Sequence, residues 1–243
     1  MRTLAIDIWS DIACPWCWIG KRRLEAAIDA FEGDVTLTWR AFELDPSASA
    51  EAPKRVDYAR RLAAKYGTTP DGAQTMIDRM VAVGRSLGLE LRFDRVRPTN
   101  TFAAHRLLSW AARFGHQTDL KERLFAAYLN EGLAISAHEV LTGLAERVGL
   151  DPEAATVVLE SDAHAREVRE DQLLGGRLGV RGVPFFVIDD RYAVSGAQPA
   201  EELLTAMRRA VDDAPPASVE RAASEECGPA GCDLDPAGEQ GGI

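Results

Sequence analysis

The chain opens on an arrangement that admits few folds. Leu4, Ile6 and Ile8 alternate with Ala5, Asp7 and Trp9, the period of a short strand. Cys14-Pro15-Trp16-Cys17 follows at once. From Pro15 to about Phe31 the apolar residues Ile19, Leu24, Ala27, Ile28 and Phe31 recur at helical spacing, and Gly33 closes the helix. Val35 to Phe42, rich in β-branched and aromatic residues, predicts a second strand. The result is a β-α-β unit with a pair of cysteines at the start of its helix, a context that points to redox chemistry. Pro15 suits the first helical position, where its missing N–H costs nothing, so Cys14 falls at the N-cap. A sulfur there faces unsatisfied backbone N–H groups and the positive end of the helix dipole, both of which favour thiolate over thiol. Lys21, Arg22 and Arg23 add positive charge more than a turn away, and Asp11 opposes it. Cys14 is the expected attacking or attacked sulfur of a mixed disulfide, and Cys17 the buried resolving thiol.

Glu43 to Pro53 predicts a loop, and a long helical stretch follows, with helices near 54–66, 70–87, 99–114, 119–131, 137–148, 152–161 and 164–178. Thr69-Pro70 and Asp151-Pro152 supply caps followed by proline, and Ser136 with Glu139 fits a capping box. Strand character returns at Val183 to Ile188, Asp189-Asp190 suits a tight turn, and Arg191 to Ser195 returns as a hairpin. Pro199 begins a last amphipathic helix with Leu203, Leu204, Met207 and Val211. This order is the thioredoxin topology with a helical insertion. A proline opening a strand needs a reason. In that topology a cis peptide before it faces the cysteine pair, so Val183–Pro184 is expected to be cis; a trans edge-strand proline is the alternative.

Ile6 to Gly20, Asn100 to Leu107 and Gly182 to Gln198 resemble the DsbA family of thioredoxin-like oxidoreductases in its FrnE-like branch, the likeness spanning about residues 3–211. The resemblance implies an α/β thioredoxin fold with a large all-helical insertion: residues 1–50 and 179–211 form the thioredoxin-like domain, 51–178 the insertion, and 212–243 a flexible acidic tail. It implies thiol–disulfide exchange, as oxidant, reductant or isomerase, on disulfide- or thiol-containing proteins. Cys14 is then the nucleophile, Cys17 the resolver and Pro184 the cis-proline. Pro15, Trp16, Val183, Asn100 and His105 are candidates for substrate binding, and His105 competes with a plain structural reading. Cys227 and Cys232 correspond to the second cysteine pair of FrnE-like proteins, a secondary redox pair; an inert tail with two exposed thiols is the alternative. The hydroxychromene-carboxylate isomerases and kappa glutathione transferases share this fold, but carry serine at the place of Cys14 and bind glutathione.

The net charge of -10 argues against a nucleic-acid groove or docking on an anionic membrane. Residues 212–243 hold -7 of it, leaving the rest at -3. No run approaches the ~18 apolar residues of a membrane span. Met1 to Asp7 lacks the apolar run of a signal peptide, so a cytoplasmic protein is expected. No metal or organic cofactor is required by this reading; glutathione stays open as a ligand, and glutathione or thioredoxin as redox partner. Two other readings stay open: a glutathione-dependent small-molecule isomerase or transferase of the same fold, and a chaperone-like or metal-binding protein using Cys14, Cys17, Cys227 and Cys232 as thiol ligands.

Overall fold

A four-stranded sheet in the order β2-β1-β3-β4 carries the cysteine pair, in a computed structural model that describes residues 3–54 and 56–213. β1 (Leu4–Ser10) runs parallel to β2 (Val35–Ala41), with Leu4 opposite Val35 and Ser10 opposite Ala41. The parallel pair needs a crossover, and α1 (Pro15–Asp29) supplies it. β3 (Phe185–Ile188) lies antiparallel on the other side of β1, and β4 (Tyr192–Ser195) completes the edge. The expected turn between β3 and β4 is present: Asp189 and Asp190 both take positive φ, as a two-residue hairpin turn of the primed type demands.

β1 is central, buried along one face and, at its C-terminal end, on both. Leu4, Ile6 and Ile8 pack with Leu24 and Ala27 of α1 and with Leu203, Met207 and Ala210 of α9 (Ala200–Asp212). Trp9 faces the other way, fully buried, and its indole N–H donates to the Asp171 carbonyl at 2.8 Å.

The helical stretch consists of α2 (Tyr58–Tyr66), α3 (Pro70–Ser86), α4 (Phe102–Ala112), α5 (Gln117–Ala126), α6 (His138–Arg147), α7 (Pro152–Glu160) and α8 (Ala165–Arg177). Thr69 and Asp151 cap as expected, accepting from Gly72 N and Glu153 N. The first helix starts later than its periodicity suggested, because Asp57 caps it by accepting from Arg60 N. The capping box at Ser136 and Glu139 is not formed. Ala137 takes the cap position, and Ser136 instead donates to the Ala50 carbonyl, fastening the loop after β2 to the helices. No helix among the described residues is long and apolar enough to cross a membrane.

The core of the helical stretch is not its own. Ile12, Cys14, Cys17, Trp18 and Ile19, at the corner between β1 and α1, belong to the same buried cluster as Leu107, Leu120, Leu124, Phe125 and Leu144. The corner that bears the chemistry is thus walled by the insertion.

α8 passes close over β1 because residue 175 has no side chain: a Cβ there would lie 2.7 Å from Trp9 Nε1. Gly175→Ala is expected to break the Trp9–Asp171 bond and cost about 1–3 kcal/mol, the range for overpacking a filled core. Urea denaturation followed by tryptophan fluorescence checks this; unchanged stability would mean that α8 can lift off β1 freely.

Candidate active site

Asp11, Ile12 and Ala13 turn the chain from β1 into α1, and Cys14 takes the cap position with extended backbone, Pro15 following at the first turn. The placement is the expected one, but the sulfur does not cap the helix. The Cys14 thiol donates instead to the Val183 carbonyl at 3.5 Å, across the gap to β3. The Val183–Pro184 peptide is cis. Pro184 reaches this position because α1 carries glycine opposite it: a Cβ on Gly20 would lie 2.9 Å from Pro184 Cγ. The sheet edge is tied down by Gly196 N donating to the Pro184 carbonyl at 2.8 Å.

Cys17 sits a turn along α1, 1% exposed, its amide donating to the Cys14 carbonyl at 3.0 Å. Burial pushes its thiol well up, and the Cys14 sulfur beside it pushes the same way; the Asp11 backbone and the charge on Lys121 oppose both.

Asp11 is fully enclosed. Its oxygens accept from Ala13 N at 3.2 Å and Leu44 N at 2.8 Å, and His105 Nε2 lies 3.5 Å from Oδ1. Burial alone would raise this carboxyl, but His105 and the two amides outweigh it and hold the group below its ordinary value. A buried carboxylate with this many donors stays ionised.

The cations that the sequence placed near the dithiol are spent elsewhere. Lys21 and Arg22 both pair with Glu25 and Glu122, and Arg23 donates to the Ala197 carbonyl. The cation that does act on the dithiol comes from α5. Lys121 is 0% exposed, and its ammonium has no hydrogen-bond partner among the described residues. It lies 5.1 Å from the centre of the Phe125 ring and 5.6 Å from that of Trp39. Burial lowers it to about 8, and the charges of Cys17, Asp11 and Cys14 resist that fall. Sequence reasoning missed it. The available signal was a lysine on the helix face shared with Gln117, Leu120, Leu124 and Phe125, where a solvated charge does not belong.

A cavity of about 510 Å³ opens beside Cys14, between the α1 corner and α2 and α3. Pro15 and Trp16 line it, as do Tyr58, Arg61, Met80 and Tyr128. Asn100 and His105, expected to bind substrate, serve the scaffold instead, and neither lines the cavity. Asn100 accepts from Phe102 N at 2.8 Å and donates to the Pro46 carbonyl, fastening that loop to α4. His105 is sealed against Asp11. Val183 stands over the Cys14 sulfur. Trp9 and Trp18 belong to the core, Trp18 stacking on Phe125 and donating to Glu122. Cys227 and Cys232 lie outside the described residues. Among the described residues no three His, Cys, Asp or Glu side chains are grouped so as to hold a metal ion.

A family model described as the DSBA-like thioredoxin domain matches residues 5–208. The crystal structure of a probable DsbA oxidoreductase from Streptomyces coelicolor is similar over 96% of this chain and all of its own, at 39% identity and a TM-score of 0.83. YwbO of Bacillus subtilis, an uncharacterized protein, is 30% identical over 77% of this chain and 88% of its own. The cytosolic disulfide reductase DsbM of Pseudomonas aeruginosa, in a structure with glutathione, shares the fold over 86% of this chain and 99% of its own, at 17% identity and a TM-score of 0.59.

Two pH effects follow from the buried charges. Lys121 binds its proton less tightly in the folded state than in the unfolded one, so its penalty is full below pH about 8 and is relieved as the pH rises towards its ordinary 10.5. Lys121→Met is therefore expected to raise Tm at neutral pH, with the gain over wild type shrinking by pH ~10; a lower Tm at neutral pH would mean the ammonium is net stabilising. Asp11 has the opposite sign. Its folded value is lowered, so its contribution is present above the ordinary carboxylate value and is lost as the pH falls below that value and through the lower folded one. Asp11→Asn should flatten the acid limb of a stability–pH profile, and an unchanged limb would contradict the pinned carboxylate.

Proposed function

The chain belongs to the DSBA-like thioredoxin domain family, and from that premise we propose that it is a thiol–disulfide oxidoreductase acting on protein disulfides through a mixed disulfide at Cys14. One observation carries the reading: the Cys14 sulfur lies at the cavity wall, 3.5 Å from the carbonyl that precedes a cis-proline, with Cys17 buried behind it.

When the pair is reduced, the Cys14 thiolate attacks one sulfur of a substrate disulfide. The substrate S–S bond breaks, a Cys14–substrate disulfide forms, and the other substrate sulfur leaves as a thiolate that takes a proton. Cys17, deprotonated, then attacks Cys14 Sγ, releasing the second substrate thiolate and leaving Cys14–Cys17 oxidised. Run backwards, the same steps oxidise a substrate dithiol. Burial resists charge on Cys17, and Lys121 counters it through space, so the ammonium eases the deprotonation that Cys17 must undergo to attack. Asp11 is held below the usual range and is therefore a poor acceptor for the Cys17 proton. We take glutathione as a candidate small redox partner, on the strength of its presence with DsbM.

Cys14→Ser is expected to abolish turnover of a protein disulfide such as that of insulin. Cys17→Ser is expected to accumulate a covalent enzyme–substrate adduct, visible by non-reducing electrophoresis and released by thiol. Turnover retained by Cys14→Ser would overturn the mechanism.

A further inference from the structure

Tyr128 reaches the cavity by an unusual route. After Ala126, α5 widens into a π-helical turn, Ala127–Glu131, a feature that recurs at functional sites. The turn closes on Gly132 at φ +70, where a Cβ would lie 2.4 Å from the Arg95 carbonyl oxygen, so only glycine fits. Tyr128 is 3% exposed and lines the cavity, yet its hydroxyl has no hydrogen-bond partner among the described residues. Tyr58 of α2, its ring 4.9 Å from that of Phe93, lines the same cavity, and its hydroxyl is likewise without a partner there. Neither hydroxyl oxygen is sealed from solvent, so each stands open to the cavity, free to donate to an acceptor that a ligand brings. Burial raises both phenols, so both remain donors across the physiological range.

Most of the rest of the wall is apolar and adaptable, although Asp11, Asp45, Thr99 and Thr101 also line it. Met76, Met80 and Leu62 line it, and thioether side chains suit aromatic partners of varied shape. Two cations of α2 also line it. Arg61 is paired with Asp45 at 3.3 Å, whereas Lys65 has no carboxylate partner among the described residues and rests 6.0 Å from the Tyr66 ring. An apolar chamber of this size with a few convergent donors is the usual form of a small-ligand site.

We propose that the cavity is a substrate subsite for an aromatic or large apolar group that bears a carboxylate and is joined to the sulfur exchanging with Cys14. Tyr58 and Tyr128 donate to the acceptors of that group, the departing sulfur included, and Lys65 meets the carboxylate. The proposal rests on the thiol-exchange reading above and names its substrate class. The chemistry is balanced as before: the substrate S–S bond breaks, the Cys14–S bond forms and holds the aromatic half in the cavity, the other half leaves as a thiolate that takes a proton, and Cys17 then attacks Cys14 Sγ, freeing the aromatic thiolate beside the phenols as the protein becomes oxidised. The group has two sources, a free low-mass aromatic disulfide or the side chains flanking a cysteine in a polypeptide.

The test uses the full chain, reduced and carrying Cys227→Ser and Cys232→Ser so that only the Cys14–Cys17 pair can react, and four probes: dithiobis(nitrobenzoate), bis(hydroxyethyl) disulfide, and two peptide disulfides that carry Phe-Asp or Gly-Ser beside the cysteine. Rates are read as the ratio of the aromatic carboxylate probe to its neutral counterpart, so that intrinsic reactivity cancels between variants. Tyr128→Phe and Lys65→Gln are each expected to lower at least one of these two ratios about tenfold, the worth of a hydrogen bond or ion pair to a charged group. A fall in the small-molecule ratio assigns the free disulfide as source; a fall in the peptide ratio assigns the flanking side chains. If both ratios hold in both variants while Cys14→Ser abolishes all four reactions, the subsite proposal is overturned and the exchange reading stands. If Cys14→Ser still reacts with the probes, the exchange reading fails, and the subsite proposal with it.

Discussion

Withdrawing a reactive thiol and two charges from water in one corner is the constraint that the rest of the structure serves. Cys17, Asp11 and Lys121 are all buried, and each would be more comfortable solvated. What keeps them there is the shared core. Ile12, Trp18 and Ile19 on one side and Leu120, Leu124 and Phe125 on the other close over the corner. Without the helices, Cys17 and Asp11 would face solvent, and Lys121 would not exist beside them. The insertion therefore closes over the dithiol corner and also walls the cavity beside Cys14.

The charges are not equivalent. Asp11 has two amides to satisfy it and His105 close beside it, so its ionised form is secure. Lys121 has two aromatic rings and no hydrogen bond among the described residues. A satisfied carboxylate contributes to stability, while an orphaned ammonium subtracts from it. An ammonium held at such cost is most valuable when Cys17 bears negative charge, which happens only while the disulfide exchanges. On this view the site places its stability cost where charge develops in the reaction.

Much of this was legible in the sequence, for local reasons. The strand, the cysteine pair and the helix follow one another without interruption, so Cys14 had to fall at a helix cap and Cys17 a turn inside it. The cis-proline followed from the order of elements, and the helices from periodicity and caps such as Thr69 and Asp151. What proximity along the chain does not reveal is direction. Asn100 and His105 stand near the site, but one is turned into a loop and the other into Asp11. Lys21 and Arg22 are close to the dithiol in sequence and are neutralised by Glu122 from a distant helix. Lys121 and Tyr128 reach the site through tertiary packing and a π-helical turn, neither of which leaves a short motif. The boundary drawn between a thioredoxin-like part and an insertion likewise conceals that they bury side chains in a common cluster.

The central claim is a division of labour within the pair: Cys14 meets the substrate and Cys17 is shielded until exchange begins. Brief alkylation of the reduced, folded protein with a limiting electrophile, followed by peptide mapping, measures it directly. The account expects label on Cys14, with Cys17 modified only after denaturation. Equal labelling of the two, or prior labelling of Cys17, would contradict it.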